Sequence, residues 1–133
     1  MRIVLTTALA LGLATGANAA RADLADEKDI NAGLLAVAAA DKIRRECGDI
    51  SGRFWAARSY ANQLEDMARK RGYTDAEIDA YVNSDAEQAK MRERRNAYFK
   101  SKGASNLDAA SLCRLGQEEI KNRSRIGSFL KAK

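Results

Sequence analysis

The chain opens on an unbroken apolar stretch and then changes character. After Met1-Arg2, every position from Ile3 to Gly16 is apolar or small, whereas from Asp23 onward polar residues intervene at regular spacing. Residues 20–29 form a polar lead-in with Leu24 as its only sizeable apolar side chain. Beyond it, apolar positions recur at three- and four-residue intervals, the period of amphipathic helices. A first helix is predicted through Ile30, Leu34, Val37, Ile43 and Cys47, with Gly48 as its stop and Arg44-Arg45 at the negative end of its dipole. Ala36, Ala40, Ile43 and Cys47 share one face, which aims the thiol at a core. A second helix, about 53–71, carries Phe54, Ala57, Ala61, Leu64 and Ala68 on one stripe, with Tyr60 and Met67 flanking it and Trp55 at the edge. Gly72 ends it.

The clearest local signal follows. Thr74 and Glu77 have capping-box spacing and Tyr73 faces Ile78 as a hydrophobic staple, so a short third helix runs to Val82. Asn83-Ser84 marks a bend, and Ser84 with Glu87 repeats the capping pattern. A strongly polar fourth helix, about 85–102, contributes Met91, Tyr98 and Phe99, and Gly103 closes it. Ser105 or Asn106 is placed as the cap of a fifth helix bearing Leu107, Ala110, Cys113, Gly116 and Ile120. No strand is predicted. The expected fold is all-α: about five helices in a compact array over residues 30–121, stapled by one disulfide, preceded by a signal peptide and followed by a basic, frayed tail over 122–133.

The N-terminal stretch has the form of an export signal. Ala17-Asn18-Ala19 places small residues where signal peptidase requires them, giving a signal over residues 1–19; Ala20-Arg21-Ala22 offers a second site. An apolar run of 14 residues is short of the ~20 needed to span a bilayer, which disfavours the rival reading of a membrane anchor. The expected location is the bacterial periplasm or the medium.

Export changes how composition is read. Loss of Arg2 with the signal lowers the formal charge from +5 to +4, a mild excess that a solvated surface explains. The chain has no proline and is rich in alanine, arginine, lysine and glutamate, which favours helix. Its 46% apolar content is inflated by alanine and by the signal, so the core is expected to be thin. Cys47 and Cys113 are the only cysteines, and an even count in an exported chain most simply means a disulfide. A free or redox-active pair is the alternative. Closing a loop of 66 residues would contribute on the order of 4 kcal/mol, a large share of the stability of a small domain.

Candidate chemistry is sparse. The chain has no histidine, which removes the commonest general base and metal ligand. Two cysteines this far apart form neither a redox motif nor a zinc site, and no cofactor or metal is expected. Carboxylate pairs such as Asp75/Glu77 and Glu118/Glu119 are explained by helix starts and solvated faces, so the chain is not read as an enzyme. Two basic segments are candidate surfaces for a membrane or a partner. One is Arg92, Arg94 and Arg95 in the fourth helix; Glu93 interrupts it, and export argues against nucleic acid. The other combines Lys121, Arg123, Arg125 and Lys131 with Phe129 and Leu130, a pattern that could rest on anionic lipid. Trp55, Tyr60, Tyr81 and Tyr98 are weighed as the lining of a ligand groove against the commoner role of core edge.

The Ala-rich signal, a cysteine ending the first helix, the Arg71-Gly72-Tyr73-Thr74-Asp75-Ala76-Glu77-Ile78 turn and Cys113 together resemble a family of small exported proteins of unknown function from Rhodobacter-like alphaproteobacteria. The resemblance covers most of the chain beyond the signal, and it carries over no catalytic or ligand residues. It implies an accessory role near the respiratory membrane, because genes of that family resemble small reading frames among those of NADH dehydrogenase. The leading expectation is a non-enzymatic periplasmic accessory protein that binds an envelope protein. Peripheral binding of anionic membrane through the tail and a holdase chaperone are the alternatives.

Overall fold

A computed structural model describes residues 23–133; the expected signal over 1–19 lies outside the described residues. Five α-helices follow one another: α1 (Lys28–Glu46), α2 (Phe54–Lys70), α3 (Asp75–Val82), α4 (Asp85–Ser101) and α5 (Ala109–Lys121). α1 is the central element and packs against α2, α4 and α5. Its Ala36, Ala39, Ala40 and Ile43 are buried, and the small alanines let neighbouring helices approach closely. The main core adds Cys47, Phe99 of α4, and Leu112 and Leu115 of α5. A second cluster at the other end of α1 joins Leu24, Ile30, Leu64, Ala68, Tyr73 and Ile78. Cys47 and Cys113 form a disulfide with their Cα atoms 5.2 Å apart, tying the end of α1 to the middle of α5.

Local signals set most boundaries. Thr74 caps α3 as predicted: its hydroxyl accepts from Glu77 N–H while the Glu77 carboxylate accepts from Thr74 N–H at 2.7 Å. Ser84 caps α4 by accepting from Glu87 N–H. α2 ends in a Schellman motif, with Tyr73 N–H on Ala68 O, Gly72 N–H on Arg69 O and Gly72 at φ 92°. α4 ends the same way around Gly103, at φ 71°. In both, the positive φ is one that glycine adopts without strain.

Three expectations are corrected. First, α5 begins later and is rotated. Asp108, not Ser105 or Asn106, is the cap, accepting from Ala110 and Ser111 N–H, while Ser105 is occupied in a local turn with Leu107 N–H. The buried face is therefore Leu112, Leu115, Gly116 and Glu119, and Leu107 precedes the helix at 90% exposure.

Second, the tail is ordered. A third Schellman turn follows α5, with Arg123 N–H on Ile120 O and Ser124 N–H on Glu119 O, and it folds the chain back along the helix. A 3-10 turn (Gly127–Phe129) then leads into β2 (Leu130–Ala132). Third, β2 pairs antiparallel with β1 (Ile50–Gly52), in the register Ile50 with Ala132 and Gly52 with Leu130. Two strands of three residues each carry too little alternation to stand out in a helical sequence.

Ile126, Phe129 and Leu130 are at most 6% exposed and belong to the main core. Each such burial is worth roughly 2 kcal/mol, so the thin helical core takes its remaining volume from the tail. Glu119 clamps the turn: its buried carboxylate accepts hydrogen bonds from the Tyr98 and Ser124 hydroxyls, and Ser124 Oγ accepts from Gly127 N–H at 3.0 Å.

Candidate functional site

Between α1 and α2 lies an open groove of about 470 Å³. Its floor is made of small or buried side chains, Val37, Ala40, Ala57, Ala61 and Phe129, and its rim of Arg44, Arg53, Phe54 and Arg58. The sequence explains the hollow: alanines on facing positions leave space that larger residues would fill. α2 enters from β1 with Arg53 N–H held on Phe129 O at 2.7 Å, so the pairing of the two strands sets where the rim begins. Arg44 lies across Gly52, where an added Cβ would sit 2.6 Å from its Cδ.

On this rim the structure parts from the helical stripe read in the sequence. Phe54, placed there in the core, is 63% exposed, and Trp55 is 77% exposed. The two rings meet edge-on with centroids 5.2 Å apart. Adjacent positions on a helix point about 100° apart, so at most one of the two lies at the centre of a core-facing stripe. Here neither does.

The electrostatics of the groove have one sign. Asp41, the carboxylate on its wall, is paired with Arg44 at 2.6 Å and Arg45 at 2.5 Å. Arg53 and Arg58 make no side-chain hydrogen bond or ion pair among the described residues. The first turn of α2 holds no acidic residue and its Arg53 N-cap makes no side-chain cap. Arg125 stacks on Tyr60 at 4.7 Å, and Tyr60 abuts Phe129 of the floor.

The other candidate residues do not assemble into a site. Arg92 and Arg94 are exposed on α4, and half-buried Arg95 bonds Asn96 at 3.0 Å. Burial lowers the Arg95 guanidinium pKa, with the like charges of Arg45 and Arg92 acting the same way. Lys121, Arg123, Arg125 and Lys131 are exposed, but Phe129 and Leu130 face the core. The lipid-facing side expected of the tail is therefore absent from the folded domain, because the main core takes both residues.

Nor do the four aromatic residues share a groove. Tyr60 packs on Phe129, Tyr98 bonds Glu119, and Tyr81 donates to Asn31. Tyr81 lines a separate hollow of about 290 Å³ between α1, α3 and α4. Burial, then the Glu87 charge, raises its phenol pKa. Glu87 stands at that wall with one oxygen on Lys90 at 2.9 Å and the other, buried, without a hydrogen-bond partner.

The molecule is thus a small, disulfide-tied helical domain whose distinguishing surface feature is a cationic groove with exposed Phe54 on its rim and Trp55 against that ring. Its residues 22–131 match the family of unknown function DUF5333, and the chain belongs to that family. No curated protein and no solved structure matches it. No helix among the described residues is long and apolar enough to cross a membrane, and the disulfide is compatible with an oxidising compartment.

Proposed function

We propose that the protein is a non-enzymatic accessory protein of an oxidising envelope compartment and that it works by binding another protein. The observation that carries this reading is the exposed Phe54–Trp55 pair. Aromatic side chains are enriched at protein interfaces and supply much of their binding energy. Left in water, these two rings contribute little to the fold; covered by a partner, each buries a large apolar area. The scaffold beneath them supports the same reading. The disulfide, the strand pair and the clamped tail fix the entry to α2, so little ordering is needed on binding. The buried polar side chains Asn31 and Glu119 are engaged in internal hydrogen bonds and so serve the fold. The export pattern at residues 1–19 and the Cys47–Cys113 bond support the compartment.

Affinity capture under crosslinking tests the proposal, using envelope fractions that include respiratory-membrane complexes. The wild type is expected to recover a reproducible partner that Phe54→Ser/Trp55→Ser loses. A wild-type capture that stays empty under crosslinking contradicts the function.

A further inference from the structure

We infer that the α1–α2 groove is a docking site for an acidic segment of a partner protein that carries an apolar anchor side chain, an inference that rests on the protein-binding function proposed above. The floor of Ala40, Ala57 and Phe129 is apolar, and its volume of about 470 Å³ falls within the range of hollows, roughly 300–1,000 Å³, that enclose ligands. An apolar side chain seated there lies against Phe54, whose ring meets that of Trp55 edge-on. The charge around it is uncompensated and positive. Asp41 is already neutralised by Arg44 and Arg45, whereas Arg53 and Arg58 have no acidic partner among the described residues. Guanidinium groups pair with carboxylates in a bidentate fork, so acidic residues flanking the anchor match the rim. A bilayer fits the site less well. Membrane-surface elements present a continuous apolar face to a plane, and here the apolar floor is recessed between two helices with the cations at its edge.

The test places a photoreactive amino acid at position 55 of the full chain in its native host, with control positions at the exposed Val82 and Leu107. Crosslinked peptides are then identified by mass spectrometry. The expected result is a discrete protein adduct from position 55 whose crosslinked segment is net acidic and contains a large apolar residue. Its yield should fall several-fold in Arg53→Glu/Arg58→Glu and, with both arginines intact, with rising salt. The salt response is read with Arg53 and Arg58 in place, so it decides the charge argument even if the charge-reversed variant folds poorly. A neutral or basic crosslinked segment, or a salt-insensitive adduct, overturns the inference. An adduct only from position 82 or 107 also overturns it but leaves the protein-binding function intact; no adduct from any position removes both. Vesicles of anionic phospholipid and a concentration series of the protein alone complete the test. A blue shift of Trp55 emission with vesicles would reassign the groove to membrane, one with protein concentration to a second copy of the chain, and either overturns the acidic partner. Unchanged emission in both is expected.

Discussion

Reducing the disulfide is the perturbation whose size follows most directly from the architecture. Cys47 and Cys113 close a loop of 66 residues that contains all of α2, α3 and α4. In the unfolded chain that closure removes conformational freedom worth about 4 kcal/mol. A small domain of this kind is stabilised by only about 5–15 kcal/mol in total, so the bond accounts for a large fraction of the whole. Chemical reduction suits the test better than substitution, because Cys47 is 1% exposed and truncating it would add a cavity to the cost. Urea unfolding followed by far-ultraviolet circular dichroism, with and without reductant, should show a loss of about 4 kcal/mol, or on the order of 15 °C in melting temperature. The reduced protein should also show a steeper dependence on urea, since its unfolded state is free to expand. A loss below about 1 kcal/mol with no change in slope would refute the reasoning: the staple would then constrain an unfolded ensemble that is already compact.

Other perturbations test the tail and two titrating groups. Arg123 sits at φ 51° where Gly72 and Gly103 sit in the equivalent turns, so Arg123→Gly should stabilise the protein by about 0.5–1 kcal/mol in urea unfolding; a destabilised variant contradicts the turn. At Gly127 an added Cβ would lie 2.0 Å from Glu119 O, and Gly127→Ala should cost at least ~2 kcal/mol, whereas a frayed tail would tolerate it. Hydrogen bonding to Arg71, foremost, lowers the Asp29 carboxyl from the ordinary 3.8 to about 2. Its small contribution is therefore present above the ordinary value and lost as pH falls towards 2. Carbon-detected NMR titration should find that low pKa and a return to the ordinary range in Arg71→Ala; an unchanged titration counts against the pair. For Tyr98, burial and then the Glu119 hydrogen bond raise the phenol pKa. That contribution is full below the ordinary tyrosine value of about 10 and is lost as pH rises beyond it. Tyr98→Phe should flatten the alkaline fall in stability, and an equal fall in both proteins would contradict the assignment.

Helix starts and stops were legible because their chemistry is local. Thr74, Glu77, Gly72 and Gly103 each act within one turn of their own position, and a single sequence contains all they need. The cysteine pairing was legible because only two thiols are present. The tail was not. Its turn is a helix stop built without glycine, since Arg123 occupies the left-handed position, so the usual punctuation is missing. The charged residues around Ile126, Phe129 and Leu130 suggested a surface, while their burial depends on α1 and α5 being in place. The face of α5 depends on its start: the cap is Asp108 rather than Ser105 or Asn106, which leaves Leu107 ahead of the helix and exposed. The rim of the groove failed the same way: periodicity groups Phe54 with Ala57 and Ala61, and only the entry fixed by β1 and Phe129 shows that its ring faces outward.

The account depends on the Phe54–Trp55 pair being uncovered in the isolated, oxidised protein. Trp55 is the chain's single tryptophan, so its emission and its quenching by acrylamide report on this surface alone. The expected result is an emission maximum and a quenching constant close to those of a tryptophan free in water, independent of protein concentration. A blue-shifted, quencher-protected Trp55 in the purified monomer would mean that the rings are already covered, and the groove would not be open to a partner.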